Sequence, residues 1–149
     1  MAKRIGKFLT ISVDDSGGTP RAITNDVTAI NGIQLVYDEA EIGGYSQDKF
    51  YASLRADAPL EINGLFSDTA STGSHTVFSG IVGKNVSPAS VTVTIAIGEN
   101  AAPVSTNPEW EGEYRCTAYT VEFPLDGQAT FSATLKPGTS TLPAWGTVA

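Results

Sequence analysis

Residues Glu113–Leu135 read EYRCTAYTVEFPLDGQATFSATL, and the alternation inside this stretch decides the fold class. In its second arm Ala129, Phe131, Ala133 and Leu135 alternate with Thr130, Ser132 and Thr134. A period of two puts an apolar row on one face of a strand and a hydroxylated row on the other. In the first arm Tyr114, Cys116 and Ala118 alternate with Arg115, Thr117 and Tyr119, after which the apolar phase moves to Val121 and Phe123. A slip of one residue exchanges core and solvent faces, so the phase change predicts a β-bulge near Tyr119–Thr120. Asp126-Gly127 between the arms predicts a tight hairpin turn with positive φ.

Outward from this hairpin the chain reads as further strands. Phe8–Val13 places Leu9, Ile11 and Val13 on one face, and Asp14–Pro20 is a turn by composition. Asp26–Tyr37 holds one or two short strands divided by Asn31-Gly32. Asp38–Lys49 is acidic, contains Gly43-Gly44 and lacks helical periodicity, so it reads as an extended loop. Phe50–Leu54 and Leu60–Phe66 are strands, with Pro59 tolerated at a strand start. Thr72–Val82 is the one helix: Thr72 or Ser74 caps it, Val77, Phe78, Ile81 and Val82 form its stripe, and Gly83 stops it. Ser90–Ile97 alternates as a strand, and Gly98–Asn107 is a second long loop. Residues 1–7 and 139–149 read as loose ends. This inventory predicts a mainly β fold: two packed antiparallel sheets, sandwich- or barrel-like, with one short flanking helix, a long loop and terminal arms, all in one domain spanning 1–149.

At 149 residues with 41% hydrophobic and 17% charged residues, the chain is long and apolar enough to bury a core. Its net charge of −7 argues against gripping nucleic acid through phosphates. Phe8–Val13 is too short for a signal peptide and no run reaches the length of a membrane span, so a soluble product made in a cytoplasm, without membrane insertion, is expected. The single Cys116 falls on an apolar phase and reads as a small buried hydrophobe.

No catalytic constellation stands out, and neither an enzymatic role nor a cofactor is expected. The one histidine, His75, lies in the first turn of the helix, and one Cys with one His cannot build a zinc site. Asp14, Asp15, Asp38, Glu39 and Glu41 lack the spacing of a calcium loop and read as solvated carboxylates. Glu109, Glu111 and Glu113 share one strand face if that strand begins early, and they read as an acidic exposed edge rather than a glycosidase pair. Trp110, Tyr114, Tyr119 and Trp145 offer the alternative of a sugar-binding platform. The competing function classes are therefore a self-assembling structural subunit and a β-sandwich binding module for carbohydrate or a receptor, of capsid-decoration or adhesin type.

Three segments carry a resemblance. KFLTISVDDSGGTPRAITNDVTAINGIQLVYDEAEIGG looks like an opening strand, loop and strand leading into a polar loop. DKFYASLRADAPLEINGLFSD is an aromatic residue, a short break and a strand ending in G-x-F/Y-x-D. EGEYRCTAYTVEFPLDGQATFSATLKPGT ends in an A-T-F-S-A-T-L strand after Asp-Gly. Together they resemble the tail tube (major tail) proteins of long-tailed bacteriophages. Ala52-Ser53 stands where a glycine is usual, and the helix is short and contains Gly80.

The resemblance implies two packed antiparallel sheets flanked by a helix, six subunits per ring, and rings stacked into a hollow tube that carries DNA during ejection. It implies partners of its own kind and other tail proteins (tape measure, tail tip, terminator), with DNA passing without adhesion. Under it, Asp38, Glu39, Glu41, Gly43, Gly44, Tyr45, Asp48 and Lys49 are expected to form the ring-stacking loop. Glu61, Asn63 and Ser67 are the lumen-facing candidates. Lys3, Arg4 and Lys7, with Pro143 and Trp145, belong to inter-subunit arms. Six copies at −7 carry about −42 per ring, which would repel phosphates.

Overall fold

A computed structural model of the chain describes residues 6–45, 47–83 and 90–149. It is mainly β, with two antiparallel sheets and a single short helix. The strands are β1 (Leu9–Asp14), β2 (Pro20–Ala22), β3 (Val27–Asn31), β4 (Val36–Ile42), β5 (Phe50–Asp57), β6 (Leu60–Leu65), β7 (Val91–Ile97), β8 (Pro108–Glu122), β9 (Thr130–Pro137) and β10 (Ala144–Thr147). The helix α1 spans Ser74–Ile81, and a 3-10 turn, Gly6–Phe8, precedes β1.

The two sheets are unequal. Eight strands form one sheet in the order β2-β1-β7-β8-β9-β6-β3, with β10 added beside β8; β4 and β5 pair only with each other. The 15-residue β8 organises the large sheet. Its first half pairs with β7 and β10, and its second half with β9.

Alternation explains the core. Ile11 and Val13 of β1, Val91, Val93 and Ile95 of β7, Leu60 and Ile62 of β6, and Phe131, Ala133 and Leu135 of β9 are all buried, and the intervening Ser, Thr and Glu residues are not. Val77, Phe78 and Ile81 of α1 close the core, and Trp110 and Tyr114 are fully buried within it. The Trp110 indole N–H donates to the Tyr114 hydroxyl at 2.9 Å, so both large side chains are buried without an orphan polar atom. Gly64 lies where β3 crosses β6: a Cβ there would come within 2.0 Å of the Asp26 carbonyl oxygen.

The hairpin differs from expectation in two places. The bulge falls between Cys116 and Ala118, because Cys116 pairs with Leu135 while Ala118 pairs with Thr134. Thr117 is the extra residue, and it returns Tyr119 and Val121 to the core side. The β8–β9 connection is a wide loop over residues 123–129, not a tight turn, and Gly127 is absent from the positive-φ glycines. Pairing stops at Glu122, so no two-residue turn geometry is required there.

The helix is capped from a distance. Its N-cap is Gly73, which has no side chain to offer and where a Cβ would meet the Ser67 carbonyl oxygen at 2.5 Å. The Ser74 amide instead donates to Asp26 Oδ2 at 2.9 Å, and the His75 amide to the Ser67 carbonyl at 2.9 Å. Ser74 is a buried brace: its hydroxyl donates to the Leu65 carbonyl at 2.7 Å and accepts from the Ser67 amide at 3.1 Å. Gly83 stops the helix at φ +66°.

Two segments expected to be irregular are ordered as strands. Asp38–Ile42 lies within β4, so most of the expected loop belongs to a two-stranded ribbon with β5. Residues 144–147 fold back as β10 onto Pro108–Glu111 of the same chain, rather than leaving it as a loose tail. Pro143 there packs so close to Gly112 that a Cβ on Gly112 would come within 2.4 Å of it.

Candidate assembly surface

The β4–β5 ribbon stands apart from the core. Its pairing has one irregularity between Tyr37 and Glu39, beyond which Glu39 faces Ser53, Ala40 faces Ala52, Glu41 faces Tyr51 and Ile42 faces Phe50. Alternation then gives the ribbon two chemically distinct faces. Ala40, Ile42, Phe50 and Ala52 form an apolar face, and Glu39, Glu41, Tyr51 and Ser53 form an acidic and hydroxylated one. Ile42 is 42% exposed and Phe50 53% exposed, and Leu35, Val36, Tyr37, Tyr45, Tyr51 and Leu54 are exposed as well. Soluble monomers rarely present so many large apolar side chains together, and such a surface marks an interface. A lone two-stranded ribbon is also marginal in water without a partner.

The expected stacking residues fall on this ribbon and its tip. Asp38, Glu39 and Glu41 lie on β4, Gly43, Gly44, Tyr45 and Asp48 in the turn, and Lys49 just before β5. Gly43 takes φ +144°, and the turn is held by the Gly44 amide donating to Gln47 Oε1 at 3.0 Å. Lys49 Nζ lies 3.8 Å from Glu41 Oε1, a weak exposed pair.

A second surface is the outer face of the large sheet. Glu61 and Asn63 lie there beside Ser132 and Thr134. Asn63 Nδ2 donates to Glu61 Oε1 at 3.4 Å, and the Ser132 hydroxyl donates to the same oxygen at 3.5 Å. Around Gly64 a shallow depression of about 280 Å³ is lined by Thr28, Asn63, Thr120, Glu122, Thr130 and Ser132. Ser67 is not part of this face. It follows β6 toward α1, where its hydroxyl lies 3.0 Å from that of Thr69.

On the β7–β8 side the same outer face carries Glu109, Glu111 and Glu113 in one row. The Glu113 carboxylate accepts from Ser90 Oγ at 2.9 Å and from the Thr92 hydroxyl. Burial, and secondarily the Glu113 charge, pushes the Asp14 carboxyl up from the usual carboxylate range.

Lys3 and Arg4 lie outside the described residues. Lys7 sits in the 3-10 turn with its ammonium 5.7 Å from the Phe8 ring centre. Trp145 is 51% exposed and meets the buried Trp110 edge-on, with ring centres 5.1 Å apart. The aromatic platform is not formed: Trp110 and Tyr114 are inside the core, and Tyr119 packs against Phe78 and Phe131. His75 Nδ1 lies 3.1 Å from the Tyr119 hydroxyl, which burial pushes up to about 12. Cys116 is buried, as its phase implied, and burial raises its thiol to about 11. Among the described residues no group of three or more His, Cys, Asp or Glu is placed to hold a metal ion.

No protein-family model matches the chain, and no curated protein matches it by sequence. Solved structures do match. The tail of an empty gene transfer agent particle, refined with C6 symmetry, contains a chain that is 15% identical with a TM-score of 0.67, and the match covers 99% of this chain and 100% of that one. The SPP1 tail tube is 8% identical with a TM-score of 0.67, covering 98% of this chain and 80% of that one. The chain has the tail-tube fold. A chain in the sheath/tube terminator of the PVC extracellular contractile injection system shares it, at 15% identity and a TM-score of 0.68, with 93% of this chain and 92% of that one covered. Sequence identities this low mean that the tail-tube fold is held by patterning rather than by particular residues.

Proposed function

We propose that this chain is a structural subunit that self-assembles into hexameric rings, stacked as a hollow tail tube that conducts DNA during ejection. The observation that carries the reading is the tail-tube fold running over 99% of the chain. The ribbon supports it, because its exposed apolar face needs a partner and another copy supplies one. In this reading the ribbon, from Asp38 to Lys49, makes the contact between rings. Glu61 and Asn63, on the hydroxylated outer face, line the lumen together with the Ser132 and Thr134 row. Ser67, which turns toward the helix, is left out of that lining. Lys3, Arg4 and Lys7, and the exposed ring of Trp145, contact neighbouring subunits. A net charge of −7 per subunit keeps the passing phosphates from adhering.

The role is mechanical and not enzymatic. Its partners are further copies of the chain and the other tail proteins (tape measure, tip and terminator), in a virion tail assembled in the host cytoplasm. Negative-stain electron microscopy of the purified protein at high concentration, with and without a preformed tail tip, tests the reading. Hollow tubes or six-fold rings are expected. Monodisperse monomers under every condition, tail tip included, overturn it.

A further inference from the structure

The cations of this acidic chain are unevenly employed. Of nine, Lys3, Arg4 and Lys84 lie outside the described residues. Arg21 is held by Asp15 at 2.8 Å, Lys49 lies beside Glu41, Lys7 lies over Phe8, and Arg55 stands alone on β5, exposed and outside any ion pair among the described residues. Arg115 and Lys136 are different. They are direct cross-strand partners on β8 and β9, both exposed and both on the outer face. Like charges directly opposite one another destabilise a sheet.

Neither cation has a carboxylate partner among the described residues, and all 16 Asp and Glu residues are described. Glu113, two residues before Arg115, has both oxygens taken by Ser90 and Thr92. The pair is thus a cost to the isolated subunit with no counter-charge inside it.

The acidic face of the ribbon has the complementary chemistry. Glu39 and Glu41 stand two residues apart on one strand face, about 6.8 Å from each other. Two cations on directly opposed residues have backbones about 5 Å apart, and long flexible side chains cover the difference. We propose that Arg115 and Lys136 are the seat for the acidic face of the ribbon of another copy of the chain, with Glu39 and Glu41 as the facing carboxylates. The proposal rests on the tube reading and adds to it a specific polar contact. It leaves the ribbon's apolar face, Ile42 and Phe50, to a different surface. A nucleic-acid phosphate is the competing occupant, and it differs from the ribbon in that its binding would not depend on Glu39 and Glu41.

The test uses the full chain. Lys136→Glu places an acid opposite Arg115, so it removes a repulsion within the subunit while spoiling the seat. The melting temperature of the monomer is expected to hold or to rise by about 1–3 °C. The concentration needed for tube formation is expected to rise about ten-fold or more. Arg115→Glu with Lys136→Glu, and Glu39→Lys with Glu41→Lys, should each block assembly of a folded protein. All four changes together should restore it to within about three-fold of the parent, as expected for swapped partners.

Tubes forming from Lys136→Glu at the parental concentration overturn the seat and leave the tube reading standing. So does failure of the four-fold variant to recover while its circular dichroism is native. Binding of a short DNA duplex by the parent at low salt, lost in Lys136→Glu while assembly is unchanged, also overturns it, in favour of phosphate. If the parent forms neither tubes nor rings with a tail tip, both readings fall.

Discussion

Replacing Ile42 and Phe50 by serine separates the stability of the subunit from the stability of its assembly. Both side chains lie on the apolar face of the β4–β5 ribbon, opposite one another in the register, and neither contributes to the buried core. Phe50 is 53% exposed; an aromatic side chain offers about 200 Å², so about 100 Å² remains for a partner to cover, worth about 2.5 kcal/mol. Ile42, at 42% exposed, adds about 1 kcal/mol on the same scale. The double change therefore removes at most about 3.5 kcal/mol per contact, or roughly 300-fold in the affinity of one subunit for the next. It removes little from the monomer, because exposed substitutions away from special features stay within about 0.5 kcal/mol. Critical concentration by sedimentation or light scattering reads the first quantity, and urea denaturation of the monomer reads the second. The expected outcome is an unchanged denaturation midpoint with assembly abolished at parental concentrations. Assembly at an unchanged critical concentration would refute the assignment of this face to an interface. An equal loss in both assays would mean that the ribbon is packed within the subunit.

Other expectations follow from the interior. Ser74→Ala leaves the Leu65 carbonyl and the Ser67 amide without their partner, which costs about 2–3 kcal/mol and lowers the calorimetric melting temperature by about 5–10 °C. The Cys116 thiol, raised to about 11 by burial, binds its proton more tightly folded than unfolded. Folding stability should therefore fall as pH rises from 9 towards 11, and alkylation at pH 8 should follow global unfolding rather than proceed on the native protein. Asp14 is raised for the same kind of reason, so its ionised form weakens the fold. Asp14→Asn should melt higher than the parent at pH 7, and the difference should vanish below the unfolded value of 3.8.

Legibility in the sequence tracked burial on one face. β1, β6, β7 and β9 each present one buried row and one wet row, and alternation located all four. β4 has no buried residue, so its glutamates and the following Gly43-Gly44 read as a loop, although Glu39-Ala40-Glu41-Ile42 alternates perfectly well. The sequence pattern points to a bulge about two residues beyond the true one for a specific reason. Ala118 is exposed, but as a small apolar residue it prolonged the apparent core phase past Thr117, where the slip occurs. The early start of β8 is legible only as a condition, through the period-two row Glu109, Glu111 and Glu113, because its inward positions are Trp110, Gly112 and Tyr114 and the glycine interrupts the apolar row. Gly112 is there for Pro143, a contact more than thirty residues away that no local pattern reveals. Of the candidate surfaces, Glu61 and Asn63 could be placed on a polar face from their phase alone. The cation pair could not, since Arg115 and Lys136 become neighbours only through the shifted register beyond a seven-residue loop.

The large apolar residues of this chain are partly buried and partly exposed, and where the exposed ones gather bears on function. One set is fully buried around Trp110 and Phe78 and suffices to hold the large sheet together. Eight others, Leu35, Val36, Tyr37, Ile42, Tyr45, Phe50, Tyr51 and Leu54, are exposed on one ribbon and its flanks, while Leu65, Val104, Phe123, Leu125 and Trp145 are exposed singly or in loops elsewhere. The ribbon's own ladder cannot stabilise it much, because two strands alone bury too little to offset the entropy of ordering them. A sequence that spends β-branched and aromatic residues on such an element gains from them only when another surface covers it. The cross-strand pair of Arg115 and Lys136 is a local cost of the same kind within the subunit. Two independent features, one apolar and one charged, are thus unfavourable in the isolated subunit, and under the proposed tube reading both become favourable where another copy covers them. That is the pattern expected of a subunit selected for polymerisation rather than for binding a small ligand in a preformed cleft.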